Sequence, residues 1–413
     1  MPEESQQLRP EGLEDVAALE SGAIVHGLRF PRGFEWGAAT SAYQVEGGLD
    51  ATDWSEWERQ PRGGCVEAAG DAVDHYHRFG EDIALLADLG LTAYRFSIEW
   101  SRVQPRDGEM DEGALDHYEA MVEACHAAGL SACVALHHFT NPLWVSRDGG
   151  WENPRTVDLF TSFCTAVARR LGPKLDRAIT INEPNMPPLL GYLLGRFPPG
   201  KRDPQARERV TRHFLRAHEQ VRDVLSDHTD APVGMALAMV DWQLVDGGEE
   251  HLQQLRGPRE DVFLQVARDD DYIGVNTYTR HRVGRHGFMD VEEGVELTHM
   301  GYEFWPDALE ATVRRAAGET RRPVVVTECG IGTKDDARRI VFIAATVRGI
   351  HNCLAAGVDV RGYHYWSALD NFEWNHGYAP QFGIVAVDRT TQQRRVKPSG
   401  RFLGRIARDA GLP

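Results

Sequence analysis

Arg177-Ala178-Ile179-Thr180-Ile181-Asn182-Glu183-Pro184 is the stretch whose reading decides the fold. Its first five residues form a short β-branched, apolar run, the composition of a strand buried on both faces. Asn182 and Glu183 follow at once, where such a strand would hand over to its loop. The same grammar returns in the second half of the chain: Pro323 to Val326 is apolar, and Thr327-Glu328-Cys329-Gly330 follows it. Working outward, similar runs read as strands at Glu35–Thr40, Ala93–Ile98, Ser131–His138, Val233–Met239, Tyr272–Tyr278 and Val360–Trp366, with Arg177–Pro184 and Val324–Cys329 completing the set. Segments of helical period lie between them. Asp71 to Leu89 puts Val73, Tyr76, Ile83, Leu86 and Leu89 on one stripe and stops at Gly90; Pro154 to Leu171 starts on proline and repeats Val157, Phe160, Cys164, Val167 and Leu171. Asp336 to Ala356 and Ser399 to Asp409 behave alike. Strands alternating with helices imply a parallel sheet, and eight such units imply an α/β fold of the closed (β/α)8 TIM barrel type, with its site at the C-terminal ends of the strands.

No Gly-, Ser- or Pro-rich linker divides the 413 residues, so one domain is expected over residues 29–413. Residues 1–28 read as an N-terminal extension, with a short helix expected from Val16 to Ala23. The net charge of −17 argues against nucleic-acid and membrane-surface partners, no apolar stretch is long enough to span a membrane, and the polar start does not read as a secretory signal. Six scattered cysteines form no C-x-x-C pair and no zinc spacing, which points to a reducing, cytoplasmic setting.

Ionisable groups in buried strands need a reason. Arg95, His137, His138, Asn182, Glu183, Asn276, Tyr278 and Glu328 all fall near strand ends, on the face where a barrel keeps its chemistry. Glu183 and Glu328 make a pair of carboxylates, the equipment for splitting a glycosidic bond. One must stay ionised, which Arg95 and Tyr278 would support; the other must stay protonated, which apolar surroundings and its partner's charge would support. Trp151, Trp366 and Trp374 offer flat faces for a pyranose. Other readings are weaker. His137 and His138 would point to opposite faces of a strand and so not share a metal ion. His75 and His77 fall two apart on a helix and read as a solvated or helix-end pair. Gly47-Gly48 and Gly149-Gly150 lack the spacing of a phosphate loop. Cys329, beside a carboxylate, is not read as a nucleophile.

Longer motifs carry a resemblance. Phe34-Glu35-Trp36-Gly37-Ala38-Ala39-Thr40-Ser41-Ala42-Tyr43-Gln44-Val45-Glu46-Gly47, Asp74-His75-Tyr76-His77-Arg78, Tyr94-Arg95-Phe96-Ser97-Ile98, the segments around His138, Asn182-Glu183-Pro184 and Thr327-Glu328, and Trp366-Ser367-Ala368-Leu369-Asp370-Asn371-Phe372-Glu373-Trp374 occur in this order. The chain resembles glycoside hydrolase family 1, the β-glucosidases and β-galactosidases, over most of its length. The resemblance implies retaining double displacement on a small glycoside, with Glu328 as nucleophile and Glu183 as acid and base, their carboxyl groups roughly 5–5.5 Å apart. It also implies Gln44, His138, Asn182, Glu373 and Trp374 around the sugar hydroxyls, and Trp366 as the floor. Arg95, Asn276 and Tyr278 would order the nucleophile, with no metal or cofactor. Glu373 would repel a 6-phosphate, which favours a neutral glucoside, galactoside or fucoside. Glutamate at 183 sets the chain apart from plant thioglucosidases, which carry glutamine there. Phe139 stands where the family usually has tryptophan, which loosens control over the 3-hydroxyl; Cys329 replaces the usual asparagine, which would alter the setting of Glu328. The stretch from Tyr278 to Gly301 reads as short, opening the leaving-group side. Transglycosylation through the same intermediate, and a non-catalytic sugar-binding barrel, are the alternatives.

Overall fold

The computed structural model describes residues 28–410; the extension, including the helix expected at Val16 to Ala23, falls outside them apart from Leu28. Eight parallel strands form the barrel: β1 (Glu35–Ala39), β2 (Ala93–Ser97), β3 (Ser131–Ala135), β4 (Arg177–Asn182), β5 (Val233–Leu244), β6 (Ile273–Gly284), β7 (Val324–Cys329) and β8 (Val360–Trp366). Neighbours pair in the order β5-β4-β3-β2-β1-β8-β7-β6, and β5 pairs with β6 to close the ring. The outer helices are α1 (His75–Asp88), α2 (Glu112–Ala127), α3 (Arg155–Leu171), α4 (Pro204–Ser226), α5 (Glu249–Arg256, continued as Val262–Val266), α6 (Ala308–Thr320), α7 (Asp336–Ala355) and α8 (Pro398–Ala410). All but the first part of α5, which buries no side chain, lay apolar residues against the strands. In α4, Pro204 and the capping carboxylate of Asp203 start the helix, and Val210, Phe214, Ala217, Val221 and Leu225 are buried.

Two boundaries depart from expectation for the same reason. β5 and β6 do not stop at Met239 and Tyr278. They run on as a paired ribbon, Asp241–Leu244 against Arg280–Val283, and a two-residue strand, Gly287–Phe288, folds back onto β6. The ribbon leaves the barrel, so its side chains are half-buried and its sequence turns polar. Conversely, β3 ends at Ala135, short of the expected His138, because the chain swings towards the mouth and Phe139 takes a left-handed φ of 72°. His75 also differs from expectation. It and His77 open α1 and diverge, but His75 is buried, with Nδ1 at 2.8 Å from Asp82 and Nε2 at 3.0 Å from the Tyr94 hydroxyl.

Low in the barrel, the Arg177 guanidinium donates to Glu35 at 2.7 Å and lies 4.7 Å over the Tyr272 ring. Gly37 is required beside them, since a Cβ there would meet the His364 ring at 2.4 Å. Higher up, a Cβ on Gly330 would stand 1.8 Å from the Trp366 carbonyl oxygen, so only glycine lets β7 leave the barrel so close to β8.

Candidate active site

Ile179 and Val325 pack together inside the barrel, with Cys133, Ala236 and Tyr272. Strict alternation from Ile179 and Val325 would turn Asn182 and Glu328 outward. The register shifts between Ile179 and Asn182 against β5, and between Val275 and Asn276 against β7, where Asn276 pairs with Glu328. These irregularities re-aim both side chains into the barrel mouth, a common use of bulges beside functional sites. Glu183 then takes a left-handed φ of 48°, its N–H donating to Ala236 O at 2.7 Å. Strain of this kind persists only where the surroundings hold it.

The result is a cavity of about 330 Å³. Gln44, His138, Phe139, Glu183, Asn276, Tyr278, Glu328, Trp366, Glu373 and Trp374 line it. Arg95 and Asn182 are fully buried and bonded to its floor.

Glu328 has two donors. Arg95 Nη1 lies 2.5 Å from Oε1, and the Tyr278 hydroxyl donates to Oε2 at 2.7 Å. The other Arg95 nitrogen, Nη2, donates to Asn182 Oδ1 at 2.6 Å. Among the described residues Glu183 receives only the Asn276 amide, at 2.9 Å. Burial, then the charge of Glu328, push the Glu183 carboxyl well above the usual carboxylate range; Asn276 and Arg95 oppose this without overcoming it. The two carboxylates therefore occupy opposite environments. Burial and the charge of Glu328 also push Glu373 up to about 8. Gln44 Nε2 donates to Glu373 at 3.2 Å and is oriented by Phe372 O and by the Ser41 hydroxyl on its Oε1.

His138 is kept neutral, since burial and then Arg95 hold its pKa well below the ordinary value. The Asn182 amide lies 3.2 Å from Nε2, which assigns the proton to Nδ1, a buried atom without a partner among the described residues. The imidazole lies roughly parallel to Trp366 and Trp374, with ring centroids 5.8 and 6.2 Å away. Phe139 and Trp374 are both left-handed, and their rings meet at 5.3 Å.

One expectation needs correction. Trp151 does not reach the cavity. Its ring stacks on Phe214 of α4 at 4.1 Å, its Nε1 donates to Asn141, and it lines a separate cavity of about 130 Å³ behind Phe139. His137 and His138 do diverge, His137 packing against Trp151, Phe160 and Phe214. Among the described residues no cluster of three His, Cys, Asp or Glu could hold a metal ion. Cys329 lies in the apolar shell outside the barrel, where burial pushes its thiol up. It does not line the cavity, and the hydrogen bonds of Glu328 come from Arg95 and Tyr278 and not from position 329.

The outer wall was not legible in the sequence. Trp242 and His281 come from the ribbon, Arg259 from the turn inside α5, Met300 and Tyr302 from the loop after β6, and Arg196 and Phe197 from the loop after β4. The polar-apolar alternation of Val240-Asp241-Trp242-Gln243-Leu244 after Met239 was the one available signal, and it marks an extended strand without marking a site.

Residues 26–255 and 262–412 match the model of glycosyl hydrolase family 1. Thermostable β-glucosidase B of Thermobispora bispora is 31% identical over 98% of this chain and 97% of its own. β-Glucosidase A of Thermotoga maritima is 30% identical over 93% of this chain and 99% of its own. Among solved structures, the β-glycosidase BGL167 is 43% identical with a TM-score of 0.87, covering 93% of this chain and 98% of its own. The Thermotoga maritima β-glucosidase bound to glucoimidazole is 28% identical, also at 0.87, covering 93% and 100%. With the barrel, the carboxylates at the ends of β4 and β7 and a family match along nearly all of its length, the chain belongs to glycosyl hydrolase family 1.

Proposed function

We propose that this chain is a retaining β-glycosidase that removes terminal non-reducing neutral β-D-sugars, glucosides first, by double displacement. One observation carries the reading: a single cavity holds one carboxylate between a guanidinium and a hydroxyl, and another driven towards its protonated form. Glu328 attacks the anomeric carbon, and Glu183 gives its proton to the leaving oxygen. A covalent glycosyl-enzyme results. Glu183 then takes a proton from water, which attacks the same carbon and releases the sugar with its configuration retained. Arg95, Asn276 and Tyr278 hold these two groups. Gln44, His138, Asn182, Glu373 and Trp374 take the sugar hydroxyls, over Trp366.

The names of the relatives favour glucose. Phe139 offers no N–H to the sugar, so galactosides and fucosides stay within range. A 6-phosphate would add negative charge beside three carboxyl groups. Six unpaired cysteines, five of them buried, fit a reducing compartment, and we assign the enzyme to the cytoplasm as one catalytic domain over residues 29–413.

Initial rates on nitrophenyl β-glycosides of glucose, galactose, fucose, xylose, mannose, glucuronic acid and 6-phosphoglucose test the reading, with Glu328→Gln as control. Turnover of neutral sugars that vanishes in the control is expected. Silence across the panel, or equal rates in the control, overturns it. The aromatic side chains of the outer wall also favour acceptor alcohols, and transglycosylation would appear as alkyl glycoside when an alcohol is added.

A further inference from the structure

The inner half of the cavity is acidic, and its outer half is aromatic and cationic. Trp242 is a fixed platform there. Its Nε1 donates to Glu260 at 2.7 Å, and Glu260 is also held by Val240 N–H and Arg315. The Phe288 ring lies near parallel to it at 6.0 Å, and His281 closes the group at 5.6 Å. Burial, then Arg259, hold His281 down at about 4, so its ring is neutral. The charge in this wall therefore comes from Arg259 and Arg196.

Arginines such as Arg95, Arg280 and Arg315 are ion-paired with carboxylates. Arg259 and Arg196 have no such partner among the described residues, and both line the cavity. Arg259 is half-buried and lies over the faces of Trp242 and Phe288, at 5.8 and 5.2 Å, with no hydrogen bond or ion pair to its guanidinium among the described residues. The nearby carboxylate of Glu260 is taken up by Arg315. Burial and the like charge of Arg207 both lower the Arg259 pKa, and a bound anion would relieve them. Arg196, on the loop after β4, is exposed and has no carboxylate partner among the described residues. A guanidinium set beside aromatic faces and left without a counter-ion suits a flat ligand with a carboxylate at its far end.

We propose that this outer chamber is a leaving-group subsite for planar aromatic aglycones that carry an anion, with Trp242 as the stacking face and Arg259 and Arg196 as the cations that meet it. The proposal rests on the β-glycosidase reading. The anion sits at the mouth, away from Glu183 and Glu328, and leaves with the aglycone after the first step.

The test uses two aryl β-glucosides, one with a carboxyethyl group para to the glycosidic oxygen and one with the matching carboxamide. Two methylenes insulate the phenol, so the leaving groups are electronically alike. The acid is expected to exceed the amide in kcat/KM by about tenfold at low salt, the worth of one or two charge-assisted hydrogen bonds. Added salt shrinks the ratio. Arg259→Met brings it close to one, Arg259→Lys keeps most of it, and Arg196→Met, at an exposed position, lowers it in part. A wild-type ratio near one, or one ratio shared by wild type and all variants, overturns the proposal. Silence on both substrates and on the nitrophenyl panel overturns the glycosidase reading instead.

Discussion

Asn276→Ala should move the basic limb of the pH profile upward. The Asn276 amide donates to Glu183 Oε1 at 2.9 Å and to Asn182 Oδ1 at 3.0 Å, and its carbonyl accepts from the Thr327 hydroxyl at 2.6 Å. The bond to Glu183 favours the ionised carboxylate and so opposes the upward push from burial and from Glu328. Its removal leaves those two causes with less opposition. A hydrogen bond to a charged group is worth about 1.5 kcal/mol, which is roughly one pH unit. The general acid works while protonated, so the variant should keep activity to a pH about one unit higher than wild type. The assay is kcat/KM against pH for an alkyl β-glucoside, whose poor leaving group needs the proton. The buried Thr327 hydroxyl loses its acceptor at a cost of about 1–3 kcal/mol, so the folded fraction is measured alongside. A basic limb that stays in place or moves down refutes the electrostatic account of Glu183. A profile lowered equally at every pH would mean that Asn276 acts only through positioning.

Glu183→Gln should retain the first step for nitrophenyl glycosides and stall on the second; added azide should restore turnover and give a β-glycosyl azide, and an α product would rule out retention. Phe139→Trp should shift the ratio of gluco- to galacto-activity, because an indole N–H enters the wall beside Trp374; an unchanged ratio removes Phe139 as a selector. Acid stability should depend on Glu35. Burial works against its ionisation, yet the His364 ring, 3.6 Å away, and the Arg177 guanidinium outweigh it and hold the carboxyl at about 2. Its folded pKa is depressed, so its stabilisation of roughly 3 kcal/mol is complete above the unfolded value and is lost as pH falls from about 4 towards 2. Glu35→Gln should be less stable at neutral pH and should flatten the dependence of Tm on pH across that window; an unaltered slope would place the acid sensitivity elsewhere.

The barrel was legible because its strands are buried on both faces and so read as apolar runs with polar residues only at their ends. Arg177 to Glu183 shows this in seven residues. The polar cluster at the barrel mouth was legible in part for the same reason, since Arg95, Asn182, Glu183, Asn276 and Glu328 are polar where burial disfavours polarity. What turns Asn182 and Glu328 inward was not legible, because a register shift is a relation between two strands and leaves no mark in either. Trp151 was misplaced because an exposed platform and a buried wedge are the same residue type. Its partner Phe214 lies 63 residues further on. The ribbon beyond Met239 and Tyr278 was missed because a strand that leaves a barrel loses the composition by which barrel strands are recognised.

One charge organises the floor of the site. Arg95 and Tyr278 are placed to stabilise a single negative charge on Glu328, and that charge is a cause of the upward push on both Glu183 and Glu373. In the proposed mechanism this arrangement changes sign at the covalent intermediate. Once Glu328 is bonded to the sugar its charge is gone, and the push it exerts on its neighbours goes with it, while burial remains. Glu183 has also given up its proton to the leaving group, so it stands as a carboxylate at the moment a base is needed for water. Glu373 should ionise more readily in the same interval, and its hydrogen bonds to the sugar hydroxyls should then be charge-assisted and stronger. The same carboxylate pair thus serves both half-reactions through the making and breaking of one bond, with the hydrogen-bond partners of Glu183 and Glu373 left in place.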